Sequence, residues 1–411
     1  MERNGRSWYR REFLKSNFLG AISLGLLGST ALGEETSAAK APPGPVIHRT
    51  LGRTGIKLPV VSMGVMNASG NAALVKAAFE KGIRHFDTAA SYGRGRNEIM
   101  LGAVFKELQA RDEVCIATKM PGIPRSVIAQ MDVERVCDYC LDQIAGCLQR
   151  LQTDHVEMIY IHDVSDPAYL VDPGSRKALE IAKREKKARW VGFSTHSKMI
   201  DCLNAASRDG FFDVVLSSFN YSMSENTAYM KALETAAAKG IGLIAMKTQC
   251  KQPWYREPEY ESGDQFYQGN IVHTALLKWV LRHEFITTAI PGFTTFQELD
   301  EDFSVAGNLE YTPNEERFLK DRNVRIAMKS VCQQCGQCVA TCSGRADIPT
   351  LMRSHMYAAC YSNFQQARAT LDEIPAGRGL SSCSSCDTCT ARCANRVDIA
   401  RRLDELKVIF A

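Results

Sequence analysis

Eight of the fifteen cysteines fall near the C-terminus in two copies of one spacing, Cys332-x2-Cys335-x2-Cys338-x3-Cys342 and Cys383-x2-Cys386-x2-Cys389-x3-Cys393. That spacing wraps three thiolates around one iron–sulfur cubane, while the fourth cysteine reaches to the other cluster of a pair. The expectation is two 4Fe–4S clusters, one on Cys332, Cys335, Cys338 and Cys393, the other on Cys383, Cys386, Cys389 and Cys342. Ser343 and Ala394 replace the proline usual after the fourth cysteine, which removes no ligand. Four-cysteine zinc sites are the rival reading, but two complete repeats of the same spacing favour iron. The other seven cysteines (Cys115, Cys137, Cys140, Cys147, Cys202, Cys250 and Cys360) are scattered, and an odd total does not read as a disulfide framework. Cys137 and Cys140 form a CxxC, but with Cys147 they follow a helical pattern and read as small apolar residues on a helix face.

The N-terminus reads Arg10-Arg11-Glu12-Phe13-Leu14-Lys15, followed by an uncharged stretch from 16 to 33 that Gly20, Gly25 and Gly28 keep only mildly apolar. It is short for a membrane span and flanked as a signal peptide is. The string resembles the bacterial twin-arginine export signal, with a small-residue cleavage site such as Ala31-Leu32-Gly33. The resemblance implies recognition by the twin-arginine machinery and a periplasmic or exported protein, membrane-anchored if the signal is kept. That route carries folded proteins, as a protein loaded with clusters in the cytoplasm requires. The net charge is +4, and residues 1–33 hold five basic groups against two acidic ones, leaving the remainder near +1. A near-neutral body gives no footprint for nucleic acid.

After a Pro-rich linker at 34–45, short apolar runs alternate with amphipathic ones. Strands are expected at 58–63, 84–87, 114–119, 156–162, 189–194, 214–219, 242–247 and 287–291, with helices between them, such as 72–81, 133–150, 226–239 and 272–282. Gly82 and Gly240, each after a lysine, read as helix stops. Eight strand–helix pairs over residues 46–312 predict an α/β fold, a (β/α)8 TIM barrel. A doubly wound open sheet is the alternative, weakened because no GxGxxG follows the first strand.

A barrel gathers its chemistry at the C-terminal ends of the strands. Those ends carry Asp87 and then Tyr92, Lys119, and His162. An ammonium beside a phenol is expected to lower its pKa, with Asp87 holding Lys119 in place. Tyr92 then serves as general acid while His162 orients a carbonyl oxygen, and the donors stabilise the developing alkoxide. These residues, the string Phe86-Asp87-Thr88-Ala89…Tyr92-Gly93…Glu98 with Leu101-Gly102, and Leu51-Gly52-Arg53-Thr54-Gly55 resemble the aldo-keto reductases over residues 46–310. The resemblance implies that Asp87, Tyr92, Lys119 and His162 are the family's catalytic tetrad and that the substrate is a small carbonyl compound or alcohol.

It also implies a nicotinamide nucleotide lying across the mouth, touching Ser194 and Thr195 after strand five, Met246 and Lys247 after strand seven, and Pro291, Gly292, Glu301 and Asp302 after strand eight. Two residues depart from the family pattern. Leu216 stands where many members have a carboxamide-binding glutamine, and Glu298 where an arginine grips the 2′-phosphate. NAD, or a nucleotide bound tightly before export, is therefore favoured over exchangeable NADP. Residues 313–411, helical at 351–359 and 363–371 between the motifs, resemble the small helical ferredoxin-like domain attached to some members of the family. The primary reading is an exported oxidoreductase whose clusters exchange electrons with a redox partner protein. The alternative is an electron-transfer or redox-binding protein with an inactive barrel. The loop 249–270, with Trp254, Tyr255, Tyr260, Phe266 and Tyr267, is expected to influence substrate choice.

Overall fold

A computed structural model describes residues 44–410 except 69, 124, 129, 251–270, 384, 385 and 387. The export segment and most of the aromatic loop lie outside the described residues. A short hairpin, β1 (His48–Thr50) and β2 (Lys57–Pro59), precedes eight parallel strands. These are β3 (Met63–Gly64), β4 (His85–Asp87), β5 (Cys115–Met120), β6 (Val156–Ile161), β7 (Ala188–Thr195), β8 (Val214–Ser218), β9 (Gly242–Met246) and β10 (Thr288–Ala289). The strands pair in sequence order. Val61 pairs with Ala289, and the Ser62 amide donates to the Ala289 carbonyl at 2.9 Å, so the last strand meets the first. Helices Ala72–Lys81, Arg96–Glu107, Val133–Leu151, Pro173–Arg184, Met199–Asp209, Thr227–Ala238, His273–Leu281 and Phe296–Ser304 follow the eight strands in turn. The architecture is a (β/α)8 barrel.

The first expected strand, 58–63, is two pieces. Lys57–Pro59 belongs to the hairpin, and only the residues after Pro59 join the barrel. Proline has no N–H for a central ladder and marks the corner. The hairpin sends Leu51 and Leu58 into the barrel, where they meet the inward residues Met158, Tyr160, Val214, Leu216 and Ile244. Successive strand side chains alternate between this filling and the outer layer against the helices. Position 242 is glycine for this reason: a Cβ there would lie 2.6 Å from the Leu51 side chain.

Helix Val133–Leu151 buries Cys137, Cys140 and Cys147 on its inner face. Glu98, on the neighbouring helix and fully buried, accepts from Thr118 Oγ1 at 2.5 Å and Arg150 Nε at 2.6 Å. After the barrel, helices Pro313–Lys320 and Arg322–Met328 share an apolar cluster with Leu276 and Tyr221. Glu315 anchors them to the barrel helix through Lys278 at 2.8 Å. Helices Ile348–Ala359, Phe364–Asp372 and Ile399–Ile409 then surround the cysteine loops, with Leu351, Met352, Ile399, Leu403 and Leu406 as their core.

Gly102 has a clear packing role. A Cβ at this position would stand 2.4 Å from the Leu151 carbonyl oxygen, a backbone atom at the end of the adjacent helix. Gly102→Ala is therefore expected to destabilise the barrel by about 1–3 kcal/mol through overpacking. Urea unfolding checks this, and an unchanged midpoint would show that the two helices are not in tight contact.

Candidate active site

Strands deliver the four residues of the expected tetrad to one end of the barrel. Asp87 ends β4 and Lys119 lies on β5, both at most 1% exposed. The Lys119 ammonium donates to Asp87 Oδ1 and, at 2.7 Å, to the Thr88 carbonyl. Tyr92 sits on the short turn after β4, with Lys119 Nζ 4.8 Å from its ring centroid. His162, just past β6, meets the Tyr92 ring edge-on at 5.8 Å between centroids and bonds Ser91 Oγ through Nδ1 at 3.3 Å. The geometry brings all four together.

The electrostatics differ from the expectation in one respect. Tyr92 is not lowered. Burial, reinforced by the carboxylates of Asp87, Asp163 and Glu373, holds its pKa well above the usual phenol range. The Lys119 ammonium is already engaged by Asp87 and the Thr88 carbonyl. Tyr92 therefore stands as a firmly protonated donor. Burial and the Lys119 charge push His162 down to about 3, so its imidazole is neutral and keeps one N–H to donate.

Tyr92 and Asp87 open onto a cleft that is also lined by Met246, Lys247, Pro291 and Gly292. Asp87 Oδ2 and Thr248 Oγ1 are buried at its edge with no partner among the described residues. A cleft with such orphaned polar atoms suits a polar bound molecule. Glu301 and Asp302 line a small adjoining pocket with Gln249, which donates to Asp302 Oδ1 at 2.5 Å. The structure does not bring Ser194 and Thr195 to the cleft lining. The Ser194 hydroxyl accepts from the Asp163 amide at 3.0 Å, and Thr195 donates to the Ser197 carbonyl at 2.9 Å. Leu216 lies a layer below, within the barrel filling. Ser218, two residues further along β8, lines a neighbouring pocket with His196, whose Nδ1 lies 3.4 Å from its Oγ. Glu298 is turned on its own loop, where its carboxylate accepts from Thr294 N at 2.6 Å and Thr294 Oγ1 at 2.8 Å.

The largest departure from the expected site comes from the C-terminal region. Tyr357 and Tyr361 line the same cleft as Tyr92. Tyr357 Oη accepts from Lys247 Nζ at 2.9 Å. Arg353, 5% exposed, pairs with Asp163 at 2.5 Å and Glu373 at 2.6 Å. Asn363 Nδ2 donates to Asn67 Oδ1 at 3.1 Å. No spacing rule in the sequence singles out Arg353 or Tyr357, which lie on an ordinary helix between the cysteine motifs.

No disulfide links the eight motif cysteines. Cys332 and Cys338 lie within electrostatic reach of each other and of Cys393, and Cys338 of Cys335 as well. Cys383 stands in the same relation to Cys342 and Cys389. Each loop thus faces the fourth cysteine of the other motif. Gln334 Nε2 donates to Cys332 Sγ at 3.3 Å and Asn395 N to Cys393 Sγ at 3.3 Å. The loop turns at Gly336 in the left-handed region (φ 77°), where no Cβ interferes. Among the described residues no group of three His, Cys, Asp or Glu side chains is drawn closely enough to hold a single ion. A cubane spreads its thiolates more widely than one ion does. The thiol chemistry of both sets suits a cluster, and in the first set Cys332 and Cys393 each carry an N–H donor of the kind that tunes such centres.

The aldo/keto reductase family model matches residues 58–269, more than half of the chain. L-galactose dehydrogenase of Arabidopsis thaliana is 26% identical over 293 residues, covering 64% of this chain and 88% of that protein. L-glyceraldehyde 3-phosphate reductase of Escherichia coli K12 is 24% identical over 327 residues, covering 66% and 91%. Among solved structures, an aldo-keto reductase from Bacillus halodurans in its holo form superposes with a TM-score of 0.53 at 18% identity, covering 71% of this chain and 98% of that one. An aldo-keto reductase from Klebsiella pneumoniae in complex with NADPH gives 0.51 at 20%, covering 68% and 96%.

The buried histidines make stability sensitive to acid. His85 is fully buried with neither ring nitrogen partnered among the described residues, and burial with the Lys119 charge pushes it down to about 3. As pH falls below about 6.5, the unfolded chain takes up this proton and the folded chain does not. Stability is then lost at about 1.4 kcal/mol per pH unit for each such group. His85→Leu is expected to remove one proton's worth of that slope in urea unfolding between pH 7 and 5. Parallel slopes for the two proteins would refute this reading.

Proposed function

The chain belongs to the aldo/keto reductase family, and we propose that it is an exported oxidoreductase whose barrel interconverts a carbonyl and an alcohol and whose C-terminal cysteines hold two 4Fe–4S clusters. The observation that carries the catalytic reading is the arrangement at the barrel mouth. A protonated Tyr92 and a neutral His162 meet edge to face beside the buried Lys119–Asp87 pair. A nicotinamide nucleotide, when bound, would supply or accept the hydride at the reacting carbon. Tyr92 and His162 orient the carbonyl oxygen with hydrogen bonds. As negative charge grows on that oxygen, Tyr92 gives up its proton, and the Lys119 ammonium over the ring steadies the phenolate. Alcohol oxidation runs the same proton path backwards.

Met246, Pro291 and Gly292 would hold the nucleotide at the cleft, with Glu301 and Asp302 in the pocket beside it. The Klebsiella neighbour holds NADPH. By sequence position Glu298 stands where other members of the family carry an arginine for a 2′-phosphate, so NAD or a nucleotide bound tightly before export is our reading. The cluster reading rests on the crossed thiol groups. Cys332, Cys335, Cys338 and Cys393 would hold one cluster, and Cys383, Cys386, Cys389 and Cys342 the other. Burial pushes the Cys332 thiol up to about 11, and the nearby Arg402 guanidinium acts in the opposite sense, toward the thiolate. The twin-arginine string supports export to the periplasm, with a redox protein as electron partner.

Anaerobically purified protein is expected to contain close to eight irons and eight sulfides per chain, measured by colorimetric assay, with a nucleotide released on denaturation. Zinc in place of iron would overturn the cluster reading. Tyr92→Phe is expected to lower turnover of a carbonyl panel at least 100-fold while iron content stays constant. Unchanged turnover would remove Tyr92 from the mechanism.

A further inference from the structure

The cations at the barrel mouth are not equally satisfied. Lys119 is bonded to Asp87, and Arg353 to both Asp163 and Glu373. Lys247 instead donates to the neutral phenol of Tyr357 at 2.9 Å and lies 4.8 Å from the centroid of its ring. Among the described residues no carboxylate lies within ion-pair distance of Lys247. The strongest charge effect on it is repulsion from Arg353, ahead of the attraction of Asp163 and Glu373. Lys247 follows the last residue of β9 in the left-handed region (φ 56°), a conformation that costs a non-glycine residue about 1 kcal/mol or more. Its side chain lines the same cleft as Tyr92 and Asp87.

We propose that Lys247 and Tyr357 form a receptor for a carboxylate on the substrate, so that the site handles oxo acids and hydroxy acids. The inference rests on the reading of this cleft as the carbonyl site. Tyr357, 4% exposed, stays protonated because burial raises its pKa, so its O–H remains a donor while its oxygen accepts from Lys247. Lys247 keeps two further N–H donors, and Thr248 adds a buried hydroxyl that has no partner among the described residues. Among the described residues this is a set of donors around a positive charge with no carboxylate at ion-pair distance from it. A carboxylate makes charge-assisted bonds to such a set, whereas a neutral ester cannot. Burial and the Arg353 charge push Lys247 down to about 7, the cost of holding this ammonium without a counterion. A bound carboxylate reverses that cost. Because Tyr357 comes from the C-terminal region, that region would take part in substrate choice.

A nucleotide phosphate is the other source of an anion here, and the test separates the two. Anaerobically purified holoprotein is titrated calorimetrically with 2-oxobutanoate, 4-oxopentanoate and 5-oxohexanoate and with their methyl esters. At least one acid is expected to bind about 30-fold more tightly than its ester. Lys247→Met should bring that ratio within about three-fold, and Tyr357→Phe should give an intermediate value with the far-ultraviolet circular dichroism unchanged. Equal affinity of every acid and its ester overturns the proposal. So does a ratio that survives in Lys247→Met while NADH affinity falls, which would assign the lysine to phosphate. A ratio that collapses in Lys247→Met in a protein that reduces none of the acids would refute the catalytic reading and leave the carboxylate receptor standing.

Discussion

Arg353 joins the two halves of this molecule. Its guanidinium is 5% exposed and divides its donors between Asp163, just past the end of a barrel strand, and Glu373, beyond the next helix. Burying a cation this far from water is tolerable only when carboxylates meet it at hydrogen-bond distance. Removal of either side leaves an uncompensated charge, which costs several kcal/mol. The helix that carries Arg353 is therefore committed to one position over the barrel mouth. Tyr357, one turn further along, is committed with it.

That commitment changes what the cleft is made of. In a bare barrel the strand ends supply the chemistry and their loops supply the walls. Here part of one wall is an aromatic face from the cysteine-bearing region, with Met66 of the barrel packed against Met356 and Tyr357. The same region closes a second, narrower pocket in which Lys247 and His196 share the lining with Cys332 and Met356. One cysteine loop thus stands beside the catalytic end of the barrel. The arrangement gives a physical reason for the two parts to be covalently linked, because neither forms these walls alone.

The barrel was legible because its cause is local. Alternating inward and outward residues, glycine stops after lysine, and apolar runs of five or six residues each reflect the chain's immediate geometry. The tetrad was legible for a related reason. A parallel barrel places the C-terminal ends of its strands together, so Asp87, Tyr92, Lys119 and His162 converge as soon as the strands are assigned. Where the reading slipped, a nonlocal contact was responsible. Pro59 ended a strand that hydrophobicity alone continued to residue 63. Leu216 was placed at the mouth by alignment but lies a layer below, because barrel stagger decides depth. Tyr92 was expected to be lowered by Lys119, yet its burial and three carboxylates outweigh an ammonium already bonded elsewhere.

By itself the sequence determined the eight-strand barrel, the convergence of the four polar residues, and the grouping of eight thiols by spacing. All of these follow from periodicity and short chain separations. Only the tertiary structure decided that Ser194 and Thr195 turn to the backbone, that Cys393 faces the first cysteine loop, and that Arg353 and Tyr357 come to the barrel mouth. Arg353 and Asp163 are 190 positions apart in the chain. No local pattern encodes a pairing across that separation. It is selected by the free energy of closing buried charges against one another when the two parts pack.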